Sequence, residues 1–192
     1  MQLPYLHVVI FVNKHLCMGL LQALFANKEM KPKERTEALC QMVLDGTVPV
    51  SDLMAFAIAT KPPVRATCIE SLEFGTRQGL TIQEDVLQWI LSCLGQKEPR
   101  VKWESAKVTG NTIAAYPHLI ANAVAALLPN TSHEGTVVRW SAAWALGEIV
   151  KLNTGINQEL CPALANIMAQ EEKGSISKIY AAAFKKIGYK PA

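Results

Sequence analysis

The residue types that most often carry out chemistry are sparse in this sequence and do not cluster. Its histidines lie at positions 7, 15, 118 and 133, and its cysteines at 17, 40, 68, 93 and 161. These spacings form neither a C-x-x-C nor an H-E-x-x-H metal motif, and no G-x-S-x-G segment marks an activated serine. Glu70 and Glu73 would share one helical face, a spacing more typical of a solvated surface than of acid–base catalysts. The sequence therefore predicts no metal, cofactor or catalytic residue, and leaves open only a site assembled from distant helices.

A stronger signal is a repeated pattern of tryptophan and cations. Residues 100–112 read RVKWESAKVTGNT, and residues 136–151 read TVVRWSAAWALGEIVK. Aligned without gaps at a spacing of 37, both segments carry an apolar residue, a cation, tryptophan, alanine and glycine in register. Tryptophan and arginine dominate binding hot spots, because they combine a large contact area with a polar group. The pattern predicts a partner-binding patch made of Arg65, Lys102, Trp103, Lys107, Arg139, Trp140, Trp144 and Lys151. The alternative interpretation is that the tryptophans fill space between alanine-rich helices.

Helices separated by short breaks must position these residues. Apolar residues at helical spacing and proline or glycine breaks predict helices over residues 14–26, 32–44, 51–59, 64–74, 82–94, 99–112, 117–128, 136–151, 157–169 and 175–187, with a short helix or capping segment at 1–12. Ser51 is a candidate N-cap, Thr81 begins a capping box, and Pro162 is expected in a first turn. No segment has the alternation of a strand. The predicted fold class is all-α.

The cations of the second helices recur at a regular interval. Arg65, Lys102, Arg139 and Lys178 follow one another at spacings of 37, 37 and 39 residues, and Arg35 precedes the series by 30. This pattern of a proline or turn, a Val-Arg or Val-Lys pair and a small-residue helix resembles the HEAT-repeat and armadillo families. The resemblance implies one domain over residues 1–192, an α-α superhelix (solenoid) of about five helix pairs, with repeats near 14–45, 51–75, 82–114, 117–152 and 157–188. Glu98 and Glu134 are the acids nearest the family's usual aspartate, so its Asp–Arg ladder is not expected here.

The resemblance also directs the functional prediction. Second helices are implied to line a concave surface that binds partners, which favours a non-catalytic scaffold that binds a protein or peptide. The alternative is a nucleic-acid-binding protein of the alkylpurine DNA glycosylase type, although no aspartate follows Asp85. A phycobilin lyase-like chromophore binder is a third interpretation that no residue specifically supports.

Composition restricts the classes of partner and the cellular compartments expected for this chain. A net charge of +3 permits contact with an acidic partner, but the sequence has none of the long basic runs expected of a protein held mainly by phosphates. The unpaired cysteines indicate a reducing compartment, and the apolar stretch 6–12 is too short to span a bilayer. We therefore expect a cytoplasmic protein without a membrane partner.

Overall fold

The computed structural model describes residues 16–191, and these residues are helical with no strand among them. The predicted all-α class is therefore confirmed. The chain divides into two compact units, Met1–Leu80 and Thr81–Ala192. The segment predicted at residues 1–12 lies outside the described residues.

The first unit contains four described helices. Residues 16–26 form α1, Pro32–Leu44 form α2, Val50–Ala59 form α3 and Pro62–Arg77 form α4. Helix α4 packs along both α2 and α3. Leu39, Leu53 and Leu72 are fully buried at these contacts and form the core of the unit.

The described residues of the second unit form six α-helices, with short 3-10 turns before and after the third of them. They are α5 (Glu84–Cys93), α6 (Pro99–Thr112), α7 (Ile120–Leu127), α8 (Thr136–Lys151), α9 (Asn157–Gln170) and α10 (Gly174–Ile187). Helix α8 packs along α6 on one flank and along α10 on the other, while α5 packs on α6 and α9 on α10. Helix α8 therefore lies between α6 and α10 in this unit.

Small residues allow α8 to lie between two neighbours. Ala142, Ala143 and Gly147 are buried along it, and short side chains let helix axes approach closely. An added Cβ at Gly147 would meet Ile179 of α10 at 3.4 Å. The small-residue pattern that the sequence shows in α8 therefore corresponds to its position between α6 and α10.

Several predicted helix ends were wrong. Helix α3 has Pro49 rather than Ser51 at its N-cap, and α5 begins at Glu84, so Thr81 does not cap it. Pro162 lies inside α9, where its ring removes one backbone donor, rather than in the first turn. A 3-10 turn over Pro117–Leu119 precedes α7, which shortens the helix predicted there.

The described cysteines behave as the sequence predicts for apolar thiols. Cys17, Cys40, Cys68, Cys93 and Cys161 are all buried and free. Burial raises the pKa of the Cys68 thiol to about 12, which keeps it protonated and unreactive.

Candidate functional site

The recurring cations of the first unit bind the ends of helices. The Arg65 guanidinium donates hydrogen bonds at 3.0–3.1 Å to the last carbonyls of α3 and the residue after it, those of Ala57, Ile58 and Thr60. Arg35 makes the equivalent contacts beyond α1, donating to the carbonyls of Leu24, Asn27 and Met30. Carbonyls at a helix C-terminus lack intrahelical partners, and a cation there interacts favourably with the helix dipole. Both arginines therefore fix the end of the preceding helix.

In the second unit the equivalent cations also reach the next helix pair. Lys102 Nζ donates to the Leu94 carbonyl at the end of α5 (2.9 Å) and to Asn130 Oδ1 (2.8 Å), in the turn after α7. Burial lowers the pKa of Lys102, but its two acceptors satisfy the charged form. Lys102 thus joins two successive helix pairs through one ammonium group.

Arg139 makes the same kind of connection with a carboxylate. Its guanidinium donates to the carbonyls of His133 and Glu134 (2.9 and 3.1 Å) and to both oxygens of Glu171 (2.9 and 3.2 Å). These hydrogen bonds lower the pKa of Glu171. Asn130 and Glu171 accept from these cations, whereas Glu98 and Glu134, the acids nearest the family's usual aspartate, do not pair with them through their carboxylates. Glu134 contributes only its backbone carbonyl.

The remaining candidate cations pair with acids on their own helices. Lys107 Nζ lies 2.8 Å from Glu104 Oε2, and Lys151 Nζ lies 2.6 Å from Glu148 Oε1. The Glu104 side chain is almost fully buried, whereas the Lys151 pair is partly open to solvent. Every cation in the predicted patch therefore has an internal hydrogen-bond or ion-pair partner, which lowers its capacity to attract phosphate.

The three tryptophans of the predicted patch differ in environment. Trp144 packs against the backbone of α6, since a Cβ built on Gly110 would lie 2.4 Å from the Trp144 ring. Trp103 is half-buried, and its indole N–H donates to Glu104 Oε1 at 2.7 Å. Trp140 is 38% exposed. The packing interpretation thus applies to Trp144, and Trp140 is the tryptophan that presents its ring to solvent.

Trp140 has an exposed apolar neighbour on the same helix face. Val137, one turn earlier in α8, is 52% exposed. Residues three and four apart lie side by side on a helix, so Val137, Trp140 and Trp144 form one ridge. The adjoining ridge of α6 carries Trp103 and Lys107. We call these five residues the α6–α8 ridge; Arg65 belongs to the first unit and is not part of it.

A polar pocket of about 340 Å³ lies beside the Arg139–Glu171 pair. It is lined by turn residues that include Ser132, His133, Glu134 and Glu172. The Ser132 hydroxyl donates to the Pro129 carbonyl, and His133 Nδ1 accepts from the Gly135 N–H. The serine and the histidine are thus each bonded to backbone rather than to each other, which is not the arrangement of an activated nucleophile.

Sequence reasoning missed four residues that matter here. Asn130 and Glu171 escaped notice because they follow their cations at different distances, 28 residues after Lys102 and 32 residues after Arg139. Glu104 was not assigned as the partner of both Trp103 and Lys107, although the i, i+3 spacing to Lys107 was visible in the sequence. Val137 could have been found from its place one turn before Trp140.

The chain has to be interpreted from its own residues, because comparison with known proteins assigns it no family. Within residues 16–191, no group of three or more His, Cys, Asp or Glu side chains is placed to hold a metal ion. The same residues contain no helix with the length and apolar character needed to cross a bilayer. Neither the comparison with protein-family models nor the comparison with curated proteins found a match to this chain.

Proposed function

We propose that this chain is a non-catalytic helical-repeat protein of the HEAT or armadillo type, which binds a protein or peptide through the α6–α8 ridge. The observation that carries the proposal is the exposure of Val137 and Trp140, 52% and 38%, on adjacent turns of a helix whose other faces are covered. Large apolar side chains exposed together are typical of interaction surfaces. Tryptophan is also the residue most enriched among binding hot spots.

The packing order of the second unit supports the repeat assignment. Each second helix contacts the next one along the chain, α6 with α8 and α8 with α10. Lys102 and Arg139 connect successive pairs through Asn130 and Glu171. One helix pair of a repeat protein cannot bury its own apolar face and depends on its neighbours for a core, which is the dependence these contacts would create.

The pairing of the cations on α6 and α8 favours a protein or peptide over a nucleic acid. Binding to phosphates requires lysines and arginines that can neutralise them and so release the counterions of the nucleic acid. Lys102, Lys107 and Arg139 instead donate to internal oxygens at 2.8–3.2 Å. The exposed apolar pair offers area for an apolar side chain of a partner, and it carries no positive charge to attract a phosphate.

The test has two stages. The full chain is immobilised, partners are captured from native lysate and identified by mass spectrometry, and each purified partner is then titrated calorimetrically. Trp140→Ala and Val137→Ser should each weaken the binding of a genuine partner at least tenfold, while the urea midpoint of the chain changes little. Ile58→Ser is the matched control, because Ile58 is also 52% exposed but lies on α3 in the other unit.

The result can contradict the proposal in two ways. Unchanged affinity of both ridge variants would show that the partner binds elsewhere. If Ile58→Ser weakened partner binding as much as the ridge variants do, the loss of affinity would not be specific to the α6–α8 ridge. Retention on a phosphate-rich matrix at low salt that falls steeply as the salt concentration rises would instead favour the nucleic-acid alternative.

A further inference from the structure

The positive charge of the chain is concentrated in its last helix. Residues 173–191 contain five lysines and no acidic residue. Without these five, the remaining 14 lysines and arginines are outnumbered by the 16 aspartates and glutamates. The described residues include no carboxylate within ion-pair distance of Lys178, Lys185, Lys186 or Lys190. The excess charge is therefore local and faces solvent.

The lysines flank a stripe of small residues on α10. Lys178, Ala181, Ala182 and Lys185 are spaced as i, i+3, i+4 and i+7, so they share one helix face, and all four are exposed. The corresponding residues of α8 include Ala142 and Ala143, which are both buried. The aligned alanines are thus covered in α8 and open in α10, where lysines stand on either side of them.

An apolar pocket of about 450 Å³ adjoins this face. Met168 of α9 and Ala181, Phe184 and Tyr189 line it, with Lys185 and Lys190 at its edge. The rings of Phe184 and Tyr189 lie 5.0 Å apart. The pocket is large enough for one or two apolar side chains of a bound segment.

The end of α10 builds one wall of this pocket from the sequence FKKIGY. Gly188 has φ 72°, and the Tyr189 N–H donates to the Phe184 carbonyl at 3.0 Å. This is a Schellman motif, in which the residue after the left-handed glycine packs on the last turn of the helix. The motif returns Tyr189 to Phe184 and holds the pocket open beside the lysines.

We propose that the exposed face of α10, with the Met168–Phe184–Tyr189 pocket, is a second interaction surface that binds an acidic amphipathic helix of a partner protein. Apolar residues of that helix enter the pocket and lie over Ala181 and Ala182. Its carboxylates pair with Lys178, Lys185 and Lys190. Charge complementarity specifies an acidic partner, and the apolar pocket between the lysines favours a peptide over a nucleic acid.

The experiment uses the full chain and a defined probe. The probe is a fluorescein-labelled 18-residue peptide with leucines at i, i+3, i+4 and i+7 and glutamates at most other positions, and its binding is followed by fluorescence polarisation. Lys178→Glu/Lys185→Glu should raise the Kd at least tenfold. Lys28→Glu/Lys97→Glu, the same charge change at exposed lysines elsewhere, should alter the Kd less than twofold, and circular dichroism should show all chains folded.

Three further measurements test whether the apolar pocket contributes to binding together with the lysines. A peptide with every leucine replaced by serine should bind at least tenfold more weakly than the probe, because charge alone does not fill the pocket. Tyr189→Ala should weaken the leucine peptide and leave the serine peptide unchanged. Trp140→Ala should leave probe binding unchanged, since the α6–α8 ridge is a different surface.

Several outcomes would overturn the proposal. Equal binding of the leucine and serine peptides would reduce the surface to a general anion binder. A 20-nucleotide oligothymidylate that competes at equal affinity, and loses binding with the same lysine variants, would identify a nucleic-acid surface. Failure of the leucine peptide to bind, or an equal effect of the two double-lysine variants, would remove the proposed site altogether.

Discussion

Equivalent faces of α8 and α10 have opposite environments. In α8, Ala142, Ala143, Leu146 and Gly147 are buried, and Gly147 lies against Ile179 of α10. At a spacing of 39 the corresponding residues of α10 are Ala181, Ala182, Lys185 and Lys186, which are all exposed. The alanines are common to both helices, so they do not decide burial. Leu146 and Gly147 of α8 are replaced by Lys185 and Lys186 in α10. This change distinguishes α8, which a neighbouring helix covers, from α10, the last helix among residues 16–191.

The recurring cation shows the same difference. Arg139 of α8 holds a side chain of the following helix pair, Glu171, whereas its counterpart Lys178 is exposed. The contribution of a cation at this position to stability should therefore depend on whether the following helix pair supplies an acceptor. Mutations at equivalent positions of α6, α8 and α10 can test that dependence.

The largest effect is expected from Arg139→Met. The variant leaves the Glu171 carboxylate, whose side chain is only 5% exposed, without its guanidinium partner. Removing one member of a covered ion pair leaves an uncompensated charge, and we expect a loss of about 2–3 kcal/mol in the free energy of unfolding. Lys178→Met, the matched change in α10, should stay within about 0.5 kcal/mol of the wild type. Urea unfolding followed by circular dichroism measures both, and equal losses would contradict the comparison.

The same pair predicts a dependence on pH. Hydrogen bonds from Arg139 place the pKa of Glu171 below its usual value of about 4.3. A depressed carboxylate pKa stabilises the fold above the unfolded value, and the stabilisation is lost as pH falls through the folded value. The stability difference between wild type and Arg139→Met should therefore shrink below about pH 4. A difference that is constant from pH 7 to pH 3 would show that Glu171 is not the group involved.

The sequence predicted the helices better than the contacts of its cations. Proline at positions 32, 62 and 99 fixes a helix start whatever the surroundings, because it presets the backbone and lacks the donor that a first turn does not use. The repeating cation was visible at a regular spacing, but its acceptors were not. Asn130 and Glu171 lie in the following helix pair, and they approach the cation only when that pair packs against it. A single sequence contains no signal for how far along the chain such an acceptor lies.

The exposure of each tryptophan ring is a second property that the sequence alone did not predict. Trp103, Trp140 and Trp144 were placed in a single patch, since spacing alone assigns them to related faces. Their exposure was decided by what lies opposite. Gly110 leaves room for the Trp144 ring, and a buried Glu104 accepts from Trp103. Helix periodicity therefore identified the face, and the size of the residue across the interface determined which ring stays in solvent.

The second-largest effect concerns the glycine opposite Trp144. A Cβ at position 110 would lie 2.4 Å from Cζ3 and 3.0 Å from Cε3 of that ring, so the ring or a helix must move. Gly110→Ala should destabilise the chain by about 2 kcal/mol, in the range of other overpacked cores. Gly110→Ala combined with Trp144→Leu should recover part of the loss in urea unfolding. Simple addition of the two single losses would indicate that position 110 and the ring do not interact.

A smaller effect of opposite sign is expected at Ser105. Its hydroxyl is buried and has no hydrogen-bond partner among residues 16–191. Position 105 of α6 corresponds to Ala142 in α8, where the same place is filled without a polar atom. Ser105→Ala should stabilise the chain by about 1 kcal/mol, because it removes an unsatisfied buried group and favours the helix. A loss of stability would mean that a solvent molecule satisfies this hydroxyl.

The smallest effect tests whether residues aligned by sequence have equivalent surroundings. Gly147 aligns with Gly110, but a Cβ there would lie 3.4 Å from Ile179 Cγ2 and 3.6 Å from Ala183 Cβ, which are ordinary contact distances. Alanine in a helix interior is favoured over glycine by roughly 1 kcal/mol, and the close Ile179 contact offsets part of that gain. Gly147→Ala should therefore stabilise the chain by about 0.5 kcal/mol. If Gly147→Ala and Gly110→Ala instead shift the urea midpoint in the same direction, the contact across the helix interface does not decide the outcome, and the alignment of α6 with α8 is the better guide.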